Sequence, residues 1–298
     1  MKSQLFYIAC DNCGAEYRIN SRGEMNCPFC GSKIYLNDKD FEEYLKVRDE
    51  MLTKDKVEND NVNLNGDVLN KWSNDMIVNL KSKNGKTINI RYCFHFERPN
   101  KTVYVNKTRV IVIYKDIDTA GEALFNVKSL NYPSADIKDL AQFFPSIGAT
   151  IVLEDGRCLV SYNKPENVYP LAIFPKLDPK QVAWMISRME NFGCLFEFNG
   201  IDFTKIEKED LYFNPKTHQM YILDGWEYVF QRKVSDNYYL LWVREIMKNL
   251  MYPGRAPKMC EEFLASRPAE TAYEDFEKWD KVIEKGFNGH NFHHFTED

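Results

Sequence analysis

Residues 206–226 read Ile206-Glu207-Lys208-Glu209-Asp210-Leu211-Tyr212-Phe213-Asn214-Pro215-Lys216-Thr217-His218-Gln219-Met220-Tyr221-Ile222-Leu223-Asp224-Gly225-Trp226. Two carboxylates bracket an aromatic and aliphatic run. Taken alone, Asp224 reads as a turn residue before Gly225, and Lys205 and Asp210 read as solvated loop charges. The flanking sequence is helical. Upstream, Asp178-Pro179 caps a helix with Val182, Met185, Ile186, Met189 and Phe192 at helical spacing, ending at Gly193. Downstream, Ser235-Asp236 opens a helix carrying Tyr239, Leu240, Val243, Met247 and Leu250. Thr271 and Glu274 then form a capping box before Phe276, Trp279 and Ile283. These methionine and aromatic stripes read as core.

Toward the N-terminus the period changes from helix to strand. Ile77–Leu80, Thr87–Tyr92, Val103–Val105 and Arg109–Tyr114 are rich in β-branched residues, with Asn84-Gly85 as a turn between the first two. Ala123–Lys128 continues the series. Ser134 then caps a helix with Ile137, Leu140, Ala141 and Phe144, stopped by Pro145. A hairpin follows over 150–160, turning at Asp155-Gly156. The spacing predicts an α+β body with two lobes, a β-rich one over 76–165 and a helical one over 166–298, joined near Lys164-Pro165.

The N-terminal module is of another kind. Cys10-Asp11-Asn12-Cys13-Gly14 and Cys27-Pro28-Phe29-Cys30-Gly31 are two CxxCG knuckles. Paired thiolates at this spacing grip a tetrahedral ion, and each Gly permits the turn that aims amides at sulfur. Residues 1–37 therefore read as a zinc ribbon with Cys10, Cys13, Cys27 and Cys30 as ligands of one structural Zn²⁺. Ala15–Ile19 and Lys33–Leu36 read as its strands. So short a segment needs the metal to fold. Residues 38–75 read as a linker, helical over Asp40–Leu52 and then a Lys-, Asp- and Asn-rich tether.

Composition bounds the whole chain. Of 298 residues, 44% are hydrophobic and 14% aromatic, enough for a sizeable core, and the net charge is −5. That charge argues against a chain-wide attraction to nucleic acid. Tyr17, Arg18, Arg22, Lys33 and Tyr35 remain a local basic-aromatic surface through which the ribbon could touch nucleic acid. No apolar run reaches membrane-spanning length and no signal sequence is evident. With scattered single cysteines at 93, 158, 194 and 260, this predicts a cytoplasmic location.

The 206–226 run resembles the stretch of protein kinases in which HRDxxxxN leads through a short strand and turn to "LIDFG". The preceding helix and the order of strands, inserted helix, hairpin and helical lobe are similar as well. More narrowly, the chain resembles zinc-ribbon proteins with degenerate kinase bodies carried by phages and mobile elements. The tail Lys285-Gly286-Phe287-Asn288-Gly289-His290-Asn291-Phe292-His293-His294-Phe295 is similar to that group's. The resemblance implies a bilobal kinase-like body, with Asp224 at the metal-binding Asp of the "DFG" position and Asp210 at the catalytic-loop Asn. Lys128 would be the strand lysine of a nucleotide and Mg²⁺ site.

The residues depart from that pattern. Lys205 stands where the catalytic Asp belongs and Phe203 where the His belongs. A Lys accepts a proton at neutral pH only if burial lowers its pKa by several units. Only Gly121 lies between Gly85 and Gly148, so no Gly-rich phosphate cover exists. The helix expected after Lys128 offers Asp136 and Asp139 but no Glu. The sequence thus predicts a catalytically inactive, pseudokinase-like scaffold engaging partner proteins. The alternatives are an atypical ATP/Mg²⁺-dependent enzyme using Asp210 and Asp224, and a nucleic-acid-binding ribbon with a regulatory body.

Overall fold

The computed structural model describes residues 7–9, 16–18, 23–26, 33–36, 42, 72, 76–133, 137–232, 237–291 and 295. They fall in two compact units, 1–68 with 132–139, and 69–131 with 140–298. In the smaller unit, β1 (Tyr7–Ala9) pairs with β2 (Glu16–Arg18), and β3 (Gly23–Asn26) with β4 (Lys33–Leu36), both antiparallel. Cys10, Cys13, Cys27 and Cys30, the expected zinc ligands, lie outside the described residues.

The larger unit begins with β5 (Met76–Lys81) and β6 (Thr87–Tyr92), an antiparallel hairpin. Its Asn84-Gly85 corner places Gly85 at φ 80°, the left-handed region that Gly enters without strain. A five-stranded antiparallel sheet follows, built from β7 (Phe94–Arg98), β8 (Lys101–Val105), β9 (Arg109–Tyr114), β10 (Ser146–Val152) and β11 (Cys158–Asn163). Its spatial order is β10-β11-β9-β8-β7. Strand alternation gives it two faces. Ile111, Ile113, Leu159 and Tyr104 point outward, and the β5–β6 hairpin covers them with Val78, Leu80, Ile88 and Ile90. The inner face carries Val103, Val105, Val110, Val112 and Tyr114, all fully buried.

Between β9 and β10 stands α1 (Ile117–Lys128), capped by Asp116, which accepts from the Thr119 amide at 2.7 Å. The expected strand over Ala123–Lys128 is the second half of this helix. Only Val127 in that stretch is β-branched, and Ala120 and Ala123 form a small buried face one turn apart. The expected helix after Ser134 is a 3₁₀ helix, Ile137–Phe143, with 134–136 outside the described residues.

The helical half starts past the Lys164-Pro165 joint. β12 (Tyr169–Pro170) leads to α2 (Pro179–Phe198), capped by Asp178 through the Lys180 amide at 2.9 Å. This helix runs five residues beyond Gly193. A Cβ at Gly193 would stand 3.0 Å from Leu240 Cδ2, so the glycine permits close helix approach and does not end the helix. β13 (Ile201–Phe203), β14 (Leu211–Asn214) and β15 (Gln219–Ile222) follow, then β16 (Val229–Gln231). β14 pairs with β12 and β15, and β13 pairs with β16.

Three helices close the unit, α3 (Tyr238–Leu250), α4 (Lys258–Ala265) and α5 (Ala272–Gly286). The buried Asp202 carboxylate accepts from the amides of Tyr238 and Tyr239 at 2.9 and 2.8 Å and so starts α3. Residues 235–236, the expected start, lie outside the described residues. Thr271 caps α5 as expected, accepting from the Glu274 amide at 3.1 Å. Among the described residues, no helix is long and apolar enough to cross a membrane.

Candidate functional site

The site forms where the β7–β8 turn meets the β14–β15 hairpin. Arg98 ends β7, Lys101 starts β8, and only Pro99-Asn100 lies between them. Two contacts fix this turn. The Asn100 carbonyl accepts from the Lys115 amide at 3.0 Å, and its side-chain oxygen accepts from the Tyr228 hydroxyl at 3.2 Å. Phe94, Phe96 and Arg98 share one face of β7, and Lys101, Val103 and Val105 share one face of β8, so both cations project from the inner face.

Beneath them lie the two ends of the 206–226 run. Asp210 ends a short 3₁₀ helix and its carboxylate accepts from the Glu207 amide at 2.8 Å. Asp224 follows β15 and precedes Gly225, whose φ is 85°. A Cβ at Gly225 would stand 2.9 Å from the Asp210 carboxyl carbon, so only Gly lets the two aspartates come together. Trp226–Tyr228 then forms a 3₁₀ turn that aims Glu227 inward, and Asn126 of α1 donates to the Trp226 carbonyl at 2.9 Å.

The result is a closed ion cluster. Arg98 bridges Glu207 and Asp210. Lys101 Nζ is 2.8 Å from Asp224, 2.5 Å from Glu227 and 3.8 Å from Asp210. The side chains of Lys101, Asp210 and Asp224 are 0% exposed and that of Glu227 is 2% exposed. Four carboxylates therefore face Arg98 and Lys101, with Lys205 at the rim pairing with Glu207. Asp224 Oδ2 and Glu227 Oε2 have no hydrogen-bond partner, while Glu227 Oε1 faces the Lys101 ammonium.

The excess shows in the protonation equilibria. Burial alone would lower the Lys101 pKa, but Asp224, Asp210 and Glu227 outweigh it and hold the ammonium well above its ordinary range. Burial raises Asp224, and its neighbour Asp210 adds to that rise against the pull of Lys101. Glu227, buried and beside Asp224, is pushed up to about 7. Tyr114 and Tyr212, wholly buried nearby, are also raised, first by desolvation.

Of the residues expected at a nucleotide site, the structure brings together Asp210 and Asp224. It does not bring Lys128 to them. Lys128 is the last residue of α1 and is exposed, because the segment expected as a strand is helical. The buried lysine is Lys101, on a different strand. Sequence reasoning passed over both Arg98 and Lys101, as it passed over β7. The available signal was the alternation Phe94, Phe96, Arg98 and the two-residue Pro99-Asn100 turn. The helix inserted in the sheet is α1, not the one expected after Ser134, and it does carry a Glu. That residue, Glu122, is exposed, and Glu227 pairs with the lysine in its place. Lys205, expected at the catalytic-Asp position, forms a half-exposed pair with Glu207 at 2.8 Å.

Solved structures of similar fold include WbdD, at 13% identity and TM-score 0.44, matching 65% of this chain and 47% of that one. Vaccinia related kinase 3 matches at 12% identity and TM-score 0.42, over 70% of this chain and 76% of that one. The Cydia pomonella granulovirus kinase matches at 10% identity and TM-score 0.44, over 65% and 92%. The chain thus spans about half the length of WbdD. No family model and no curated protein matches the chain. The body itself follows a kinase-like order: five antiparallel strands with a helix after the third, a joint, then a helical region whose hairpin leads to Asp224-Gly225.

A Mg²⁺-nucleotide pair does not fit this arrangement. A divalent ion needs free carboxylate oxygens, and Arg98 and Lys101 engage both oxygens of Asp210 and one of Asp224, leaving Asp224 Oδ2 as the one unpaired oxygen of the two aspartates. Among the described residues no group of three or more His, Cys, Asp or Glu is arranged to hold a metal.

Proposed function

We propose that the larger unit is a catalytically inactive, kinase-like scaffold whose cleft is locked by its own side chains. The smaller unit is a zinc-binding module, and the two serve partner-protein binding, in keeping with the resemblance to proteins of phages and mobile elements. The observation that carries this is the ion cluster. Phosphoryl transfer depends on positioned charge around the phosphates and metal. Here the turn that would cover phosphates delivers Arg98 and Lys101 into the carboxylates instead. The position of a general base holds Lys205, which is paired and half exposed.

A second reading has one observation in its favour. Lys101 beside Asp224 is a lysine–aspartate pair of the kind that a nucleotide could engage if Arg98 swung out. Thermal melting of the full chain with ATP and Mg²⁺ separates the two. The scaffold reading predicts no saturable stabilisation in the wild type, and none on adding Mn²⁺. Saturable stabilisation that vanishes in Asp224→Asn would favour the enzyme reading.

The zinc module is carried by the donor set, four thiols in two CxxCG knuckles. Elemental analysis of protein purified without chelator should give about one zinc per chain. Cys13→Ser should lose that zinc while the body's unfolding transition stays in place. Protein free of zinc with an unchanged N-terminal fold would end this part of the reading.

A further inference from the structure

Trp72 is the only aromatic residue in the polar tether 53–75. Its ring lies against the body in a slot. It stacks on Tyr169 with centroids 4.8 Å apart and planes 16° apart, and it meets Phe94 edge-on at 5.4 Å. Its indole N–H donates to the Glu166 carbonyl at 3.1 Å. The Lys164 ammonium sits 4.1 Å over its face. That ammonium gives two of its three donors to the carbonyls of Lys107 and Pro165, at 2.7 and 3.2 Å, leaving the third to the ring.

Each wall of this slot is specific. Phe94 and Tyr169 grip a flat ring from two sides. The backbone carbonyl asks for an N–H donor in the ring plane. The cation asks for an electron-rich face. Phe94 lies on the same face of β7 as Arg98, which reaches Asp210, so the slot opens on the inner side of the sheet. It stands about 13 Å along that strand from the ion cluster.

We propose that the Trp72 indole is a ligand supplied in cis. It closes a slot selective for a flat heteroaromatic ring bearing an N–H donor, and such a ring enters only when Trp72 leaves. Because carboxylates outnumber cations four to three in the ion cluster at the other end of β7, an uncharged ring compound is preferred over one carrying phosphates. This goes beyond the inactive-scaffold reading and stands whether or not the body transfers phosphate, since the probes below carry none.

The test compares the full-length wild type with Trp72→Ala and Trp72→Phe, using free indole and adenosine as probes in thermal melting and titration calorimetry. Trp72→Phe keeps a stacked ring and loses only the N–H, so it supplies a folded comparison should the alanine variant fold poorly. Neither probe should stabilise the wild type. Both should stabilise Trp72→Ala saturably, with Trp72→Phe intermediate. A second readout is acetylation of Lys164 by acetic anhydride. It should rise severalfold in Trp72→Ala and fall again with saturating indole. Equal stabilisation of wild type and variants would show that Trp72 does not close the slot. No stabilisation of either variant would show that the slot does not recognise such a ring. Either result overturns the proposal.

Discussion

Two buried arginine–carboxylate sites in this protein are built on opposite rules. In the helical half, Arg244 on α3 meets Asp275 on α5 through two hydrogen bonds of 2.8 and 2.6 Å. Its other donor reaches the carbonyls of Phe263 and Ser266 at 2.7 and 2.6 Å, and Asp275 also accepts from the Ala269 amide at 2.8 Å. One cation faces one anion. Glu190, buried nearby, is pushed by desolvation well above its ordinary value, and neither of its oxygens has a hydrogen-bond partner. In the kinase-like site, by contrast, four carboxylates face three cations, Arg98, Lys101 and the half-exposed Lys205, and two carboxylate oxygens have no hydrogen bond. At the first site the Arg244–Asp275 pair itself is matched in charge and hydrogen-bonded on both carboxylate oxygens. The second carries more negative charge than stability asks for.

The strongest way to break the contrast is to remove a cation from each site. Arg244→Met should cost about 3–5 kcal/mol at any pH between 6 and 8, because Asp275 is left buried and alone. Urea midpoints at constant slope read this directly. Lys101→Met should cost about 2–3 kcal/mol at pH 8 and less at pH 6, because surplus carboxylates there can take up protons. Equal pH-independent losses at both sites would erase the distinction.

Gly225 sharpens the contrast at the level of backbone. Gly225→Ala adds a Cβ 2.9 Å from the Asp210 carboxyl carbon and strains a φ of 85°. The expected loss is about 1–3 kcal/mol. Asp210→Ala in the same background should recover part of it by removing the clash, and an additive double mutant would refute the close approach.

The pH dependence of Glu227 carries the contrast to a single carboxylate. Its folded pKa, raised from 4.5 to about 7, means that the folded state holds a proton the unfolded state has lost. Stability from this group is therefore complete below about 4.5 and falls as pH rises through about 7. The slope is at most about 1.4 kcal/mol per pH unit. Glu227→Gln should flatten the profile in that window and leave the variant more stable than wild type at pH 8. An unchanged slope would show that Glu227 titrates normally.

The balanced site and the surplus site also differed in how readable they were. Helix periodicity exposed α2, α3 and α5, and the Asn84-Gly85 and Asp155-Gly156 turn signals exposed β5–β6 and β10–β11, because these signals are local. Asp210 and Asp224 could be singled out from one continuous run. Lys101 could not, because its role comes from register: the two-residue turn at Pro99-Asn100 puts it on the face shared with Arg98. Lys128 misled because Ala123–Lys128 is apolar enough for either a strand or a helix, and only the Asp116 cap and the buried Ala120–Ala123 face decide it. Trp72 lay in a stretch whose composition marks a tether, and nothing local to it shows that Tyr169, distant in sequence, provides its stacking partner.

The central claim is that the cleft is filled by its own Arg98 and Lys101 and does not transfer phosphate. A radiolabelled-ATP transfer assay tests it most directly, run on the full chain with Mg²⁺ and with Mn²⁺, on itself and on generic protein substrates, with Asp224→Ala as control. The prediction is label incorporation no greater for wild type than for Asp224→Ala. Incorporation by the wild type that disappears in Asp224→Ala would contradict the account and make the ion cluster a resting state of an active enzyme.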